Sequence, residues 1–75
     1  MTHYRISSRV TCLRDGRFQV FVTAAPMGAG EADVMTEMRE CASATQAEIS
    51  RQDLSRHIAE CVVAAGGRIV SVEIA

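Results

Sequence analysis

The sequence predicts an α+β fold, an antiparallel or mixed sheet of three to four strands with one long helix packed on one face, in the order ββ(β)αβ. Three observations predict it. Residues 4–12 alternate between apolar and polar side chains, and residues 17–25, beyond an Asp-Gly pair, are rich in Phe and Val; residues 45–65 repeat apolar residues at helical spacing ahead of Gly66-Gly67; residues 68–74 alternate again. The 75 residues make a single domain, 1–75. At this size a core buries only about 60% of the surface of the unfolded chain. At about 0.05–0.15 kcal/mol per residue the stability is of order 4–11 kcal/mol, which leaves little slack for buried unpaired charge.

In the first strand Tyr4, Ile6, Ser8, Val10 and Cys12 share one face, and Arg5, Ser7, Arg9 and Thr11 share the other. Register decides the turn that follows. A two-residue Asp15-Gly16 loop would set Val10 against Phe21 and mix the faces. A three-residue loop, Arg14-Asp15-Gly16, with Gly16 in the left-handed region and a G1 bulge, sets Cys12 against Phe18, Val10 against Val20 and Ser8 against Val22. One face then becomes consistently apolar, and the bulged loop is the one expected, because a one-residue slip turns every side chain over.

Pro26 to Gly30 should end the second strand in a flexible connection; it lacks the residues of a phosphate-binding loop. Residues 31–44 fit two patterns. Ala32, Met35, Met38, Cys41 and Ala42 recur at helical spacing, whereas Val34, Thr36, Met38 and Ala42 share a strand face interrupted by Glu40. A sheet of the hairpin plus one strand is small for the helix, so a third strand near 34–41 is expected. The helix should begin at a capping box, either Thr45-Gln46-Ala47-Glu48 or Ser50-Arg51-Gln52-Asp53. Its apolar stripe is Leu54, Ile58, Cys61, Val62 and Ala65, with Arg51, Gln52, Ser55, Arg56 and Glu60 exposed, and it ends at Gly66-Gly67. The last strand puts Val70, Val72 and Ile74 on one face and Ile69, Ser71 and Glu73 on the other, and should run parallel to the strand before the helix.

Composition narrows the function classes. No apolar run approaches the ~20 residues of a membrane span, and Met1 to Arg5 does not lead into a secretory signal, so a cytoplasmic location is expected. Cys12, Cys41 and Cys61 are too widely spread for a metal site and odd in number, which points to reduced, packed thiols. No nucleophile is paired with a base and no cofactor loop is present, so no catalytic, cofactor or metal residue is assigned; His57 is expected at the surface without a cooperating acid or thiol. The formal charge of -1 conceals an uneven distribution: residues 1–24 carry four Arg against Asp15, and residues 25–50 carry Glu31, Asp33, Glu37, Glu40 and Glu48 against Arg39.

One helix cannot cover both sides of a sheet, so Phe21, Leu13 and Ile69 are expected on the bare side, ringed by Arg5, Arg9 and Arg17. Such a patch fits a protein contact, a homodimer among them. The acidic 31–48 segment, through Glu37 and Glu40, would suit a basic partner surface of the kind that normally meets nucleic acid. The order of strand, Asp-Gly turn, strand and capped helix over residues 4–65 resembles that of HicB-type antitoxin domains and some small anti-CRISPR proteins, and no functional residue is transferred from either. The expectation is a small non-enzymatic interaction module of inhibitor, antitoxin-like or phage-accessory type. The alternative is single-stranded nucleic-acid binding through Arg5, Arg9, Arg17 and Phe21.

Overall fold

A computed structural model describes residues 2–28 and 34–74. Strands β1 (His3–Cys12), β2 (Phe18–Pro26), β3 (Met35–Cys41) and β4 (Arg68–Ile74) form one mixed sheet in the order β3-β2-β1-β4, and helix α1 (Ala44–Ala64) packs on one face. The hairpin takes the bulged register, with Cys12 opposite Phe18, Val10 opposite Val20 and Ser8 opposite Val22. Leu13 N–H donates to the Arg17 carbonyl at 2.7 Å, and Gly16, at φ +86°, donates to the Leu13 carbonyl at 3.1 Å. Only a residue without Cβ takes that backbone conformation at no steric cost.

The third strand lies where sheet size requires it; residues 31–33 of the ambiguous stretch fall outside the described residues. Because β3 is antiparallel to β2, β2 to β1, and β4 is parallel to β1, β4 runs in the same direction as β3, at the opposite edge with two strands between them. The helix does not start at Thr45 or Ser50. Ser43, in extended geometry, accepts the Gln46 N–H on its hydroxyl at 3.2 Å, and Gln46 Oε1 accepts the Ala42 N–H at 3.3 Å. Thr45 therefore sits inside the first turn, and Ser50 is buried, its hydroxyl taking Cys41 Sγ–H at 3.3 Å and an Arg39 N–H at 3.4 Å. At the other end Gly66 N–H donates to Val63 and Gly67 N–H to Val62, with Gly66 at φ +81°, a paired closure of the last carbonyls.

Tyr4 and Ile6 from β1, Val20, Val22 and Ala24 from β2, Cys41 from β3, and Ala47, Leu54, Ile58 and Val62 from α1 make the core. Two expectations about the helix surface need correction. Arg51 is not free in solvent: its guanidinium reaches over the sheet to the buried Ser8 hydroxyl at 3.4 Å while it pairs with Glu48, so it covers the end of the core. Ala65 is exposed past the stripe, and Ala47 and Ser50 extend the stripe towards the N-terminus. Of the three thiols only Cys41 is fully packed; Cys12, near the hairpin end, is exposed.

The last strand carries the largest departure. Register shifts between Tyr4 and Arg5, so that Ile69 stands opposite Tyr4 and Ser71 opposite Arg5, with Val70 as the extra residue. Ile69 is thereby turned to the helix side, where it packs against the core rather than on the bare face. Val72 and Ile74 also point to that side, opposite Ile6 and Ser8, yet they are 62% and 68% exposed. Geometry explains this. A helix is about 10–12 Å across with its side chains and strands lie about 4.8 Å apart, so one helix roofs two to three strands and not four.

Candidate interaction surface

The face turned away from α1 is built by the residues that alternate with the core: Arg5, Ser7, Arg9 and Thr11 on β1, and Gln19, Phe21 and Thr23 on β2. On β3 it takes Thr36, Met38 and Glu40, and on β4 Ser71 and Glu73. Phe21 is central, directly across from Arg9 on one side and Met38 on the other. Those neighbours leave it half-buried on an otherwise bare sheet, while Met38 stays 52% exposed with its sulfur 3.1 Å from Gln19 Nε2. Beside the ring lies an open depression of about 220 Å³, lined by Ser7, Ser8, Arg9, Phe21 and Thr23.

The cations on this face are mostly spoken for. Arg5 pairs with Glu73 at 3.5 Å, and Arg17 holds Asp15 at 2.9 Å and Glu40 at 3.2 Å. The backbone N–H and then the guanidinium of Arg17 hold the Asp15 carboxyl below its ordinary range, so the hairpin tip stays ionised in mild acid. Among the described residues Arg9 has no ion-pair partner. On this face Arg5, Arg9 and Arg17 thus stand with Asp15, Glu40 and Glu73, and two of the three excess positive charges of the first 24 residues are offset locally by Glu40 and Glu73 from strands far away in sequence. Alternation along the first two strands places Arg5, Arg9 and Phe21 together, and the strand order adds what sequence reasoning missed, Met38 beside the ring.

Glu37 and Glu40 do not form one acidic surface. They are three residues apart on a strand, an odd spacing that puts them on opposite sides. Glu40 joins Arg17 on the bare face, and Glu37, opposite Val22, lies on the helix side. Glu31 and Asp33 fall outside the described residues.

His57, expected without an acid or thiol beside it, has both nearby: the i,i+4 spacing to Cys61 was readable on the helix, and the approach of Glu37 was not. Its Nε2 is 3.7 Å from Cys61 Sγ, one helical turn on, and 4.0 Å from Glu37 Oε1 across on β3. Both approach the same nitrogen. A relay from acid through imidazole to thiol uses the two ring nitrogens separately, which this arrangement does not do. His57 and Glu37 are moreover open to solvent. Among the described residues no cluster of three His, Cys, Asp or Glu is placed to hold a metal ion, and no helix is long and apolar enough to cross a membrane.

Compared with protein-family models, curated proteins and solved structures, the chain matches none of them. The likeness to HicB-type antitoxin domains and small anti-CRISPR proteins rests on element order alone.

Proposed function

We propose that this chain is a small non-enzymatic protein-interaction module that docks a partner on its bare sheet face by surface complementarity. The observation that carries this reading is the pairing of Phe21 with Met38 and Arg9 inside a ring of arginines and carboxylates that balance one another. Aromatic residues, Met and Arg are the types enriched at protein interfaces, whereas a charge-balanced rim sets partner and orientation without attracting a polyanion. The fitting partner places an apolar side chain over Phe21 and Met38 and a carboxylate on Arg9.

Single-stranded nucleic acid would use the same ring, and one assay separates the two. Wild type and Arg9→Glu are compared as bait in a pull-down from the native cell read by mass spectrometry, beside titration with single-stranded oligonucleotides at rising salt. A stoichiometric protein captured by wild type and lost with Arg9→Glu, together with negligible oligonucleotide binding, supports the module. Oligonucleotide binding that falls steeply with salt and is weakened by Arg9→Glu sinks it in favour of the nucleic-acid reading. Separate reversal of Glu40 and Glu37 then tells whether a partner reaches one face or both.

A further inference from the structure

The two edges of the sheet are defended differently. An edge strand offers unpaired N–H and C=O groups to any passing strand, and proteins blunt such edges with charge. β3 is blunted: its exposed residues include Glu37, Arg39 and Glu40, which are engaged with His57, Ser50 and Arg17. β4 is not. From Ile69 to Ile74 its only charge is Glu73, held on the bare face by Arg5, while Val70, Val72 and Ile74 are all exposed large hydrophobics. Val72 and Ile74 stand on the strip of the helix side that α1 is too narrow to roof.

We infer that the β4 edge pairs antiparallel with the β4 edge of a second copy, joining two sheets into one of eight strands. The strand is complementary to itself. About a two-fold axis through Ser71, Val70 of one copy faces Val72 of the other, cross-strand β-branched pairs of the kind that stabilise sheets. Each Glu73 stands two residues from the axis on the bare face, so the two carboxylates lie about 13 Å apart along the strands and do not oppose each other. A two-fold axis normal to the sheet keeps both helices on one side, so Val72 and Ile74 of the two copies form one apolar floor between the helices. The Phe21 faces both remain open on the other side. A dimer of this kind therefore presents two copies of the proposed docking face side by side, and the two inferences stand or fall separately.

Analytical ultracentrifugation of the whole chain over a wide concentration range tests this. The expected result is twice the 8.1 kDa chain mass, with dissociation on dilution. Val72→Lys, a charge of the type that guards natural edges, should raise the dimer dissociation constant on the order of 100-fold, since every interface then carries two of them. Thr36→Lys on the opposite edge and Arg9→Glu on the bare face should leave the mass unchanged. Circular dichroism checks that Val72→Lys is folded; should it not be, Val72→Thr keeps a β-branched strand residue and should weaken the dimer about tenfold. A wild-type monomer up to about 1 mM, or a dimer indifferent to both Val72 variants, overturns the inference.

Discussion

Adding a single methyl group at Gly67 should destabilise this fold more than its position beyond a helix end suggests. A Cβ there would lie 2.6 Å and 2.8 Å from two ring carbons of Tyr4 and 3.0 Å from Val62 Cγ1. Carbon atoms pack at about 3.5–4.0 Å, so the ring would have to retreat by nearly 1 Å. It has nowhere to go, being 5% exposed in the core, and the backbone of Gly67 is tied by its N–H to the Val62 carbonyl at 2.9 Å. Overpacking of this type costs about 1–3 kcal/mol. Gly67 is not in the left-handed region, so Gly67→Ala also narrows the unfolded ensemble, which returns about 0.4–1 kcal/mol. The net loss is about 1–2 kcal/mol, or roughly 5–15 °C in Tm for a domain of this size. Thermal and urea unfolding measure it directly. In a Tyr4→Leu background the ring is gone, and Gly67→Ala should cost less than half as much. A neutral effect in wild type, or the same cost in both backgrounds, would refute the close approach.

Two further outcomes follow from the helix. Ser43→Ala should lose about 1 kcal/mol as the Gln46 N–H loses its acceptor, whereas Thr45→Ala, inside the first turn, should be nearly neutral; the reverse order would place the helix start at Thr45. Glu48 is held below its ordinary range chiefly by the hydrogen bond from Arg51, and a depressed folded pKa contributes stability that is fully present above the unfolded value, near 4.3, and is lost as pH falls through the folded one. Stability should therefore decline in acid below about pH 4, and Glu48→Gln should flatten that decline; an acid profile identical to wild type would rule the pair out as its source.

What the sequence made legible was whatever alternation or turn chemistry controls alone. The hairpin register followed from requiring one apolar face, and the third strand from the size of sheet that a long helix needs. The helix start was misplaced: Thr45 and Ser50 were the two starts expected, yet Ser43-x-x-Gln46 satisfies the same four-residue pattern as Thr45-x-x-Glu48, and only the reach of the chain from Cys41 in β3 to the first turn decides for Ser43. The bulge that turns Ile69 inward carries no Gly or Pro signal; it arises where β4 is laid against β1, a pairing of residues more than 60 positions apart. The separation of Glu37 from Glu40 was readable once residues 35–41 were assigned to a strand, since an odd spacing on a strand always divides the faces. Reasoning by charged segment rather than by face obscured it.

Coverage in this fold is a matter of strands as well as of sides. One helix over a sheet accounts for a bare opposite face, and the Phe21 surface is that face. Counting strands adds a second consequence, because a roof two to three strands wide must leave one edge uncovered. The cores of β1 and β2 show where the roof sits: Val20, Val22 and Ala24 are fully shielded, and Ile6 nearly so. The uncovered edge could have been β3 or β4. β3 precedes the helix directly, so Ala47 and Ser50 in the first turns are held against Cys41 and the roof begins on that side. β4 comes after the helix has been placed and adds at the far margin, parallel to β1, with only Ile69 under cover. Its Val-Ser-Val-Glu-Ile stretch is apolar on the very side that the helix cannot reach. An edge strand that needed only to be solvated would carry charge there, as β3 does.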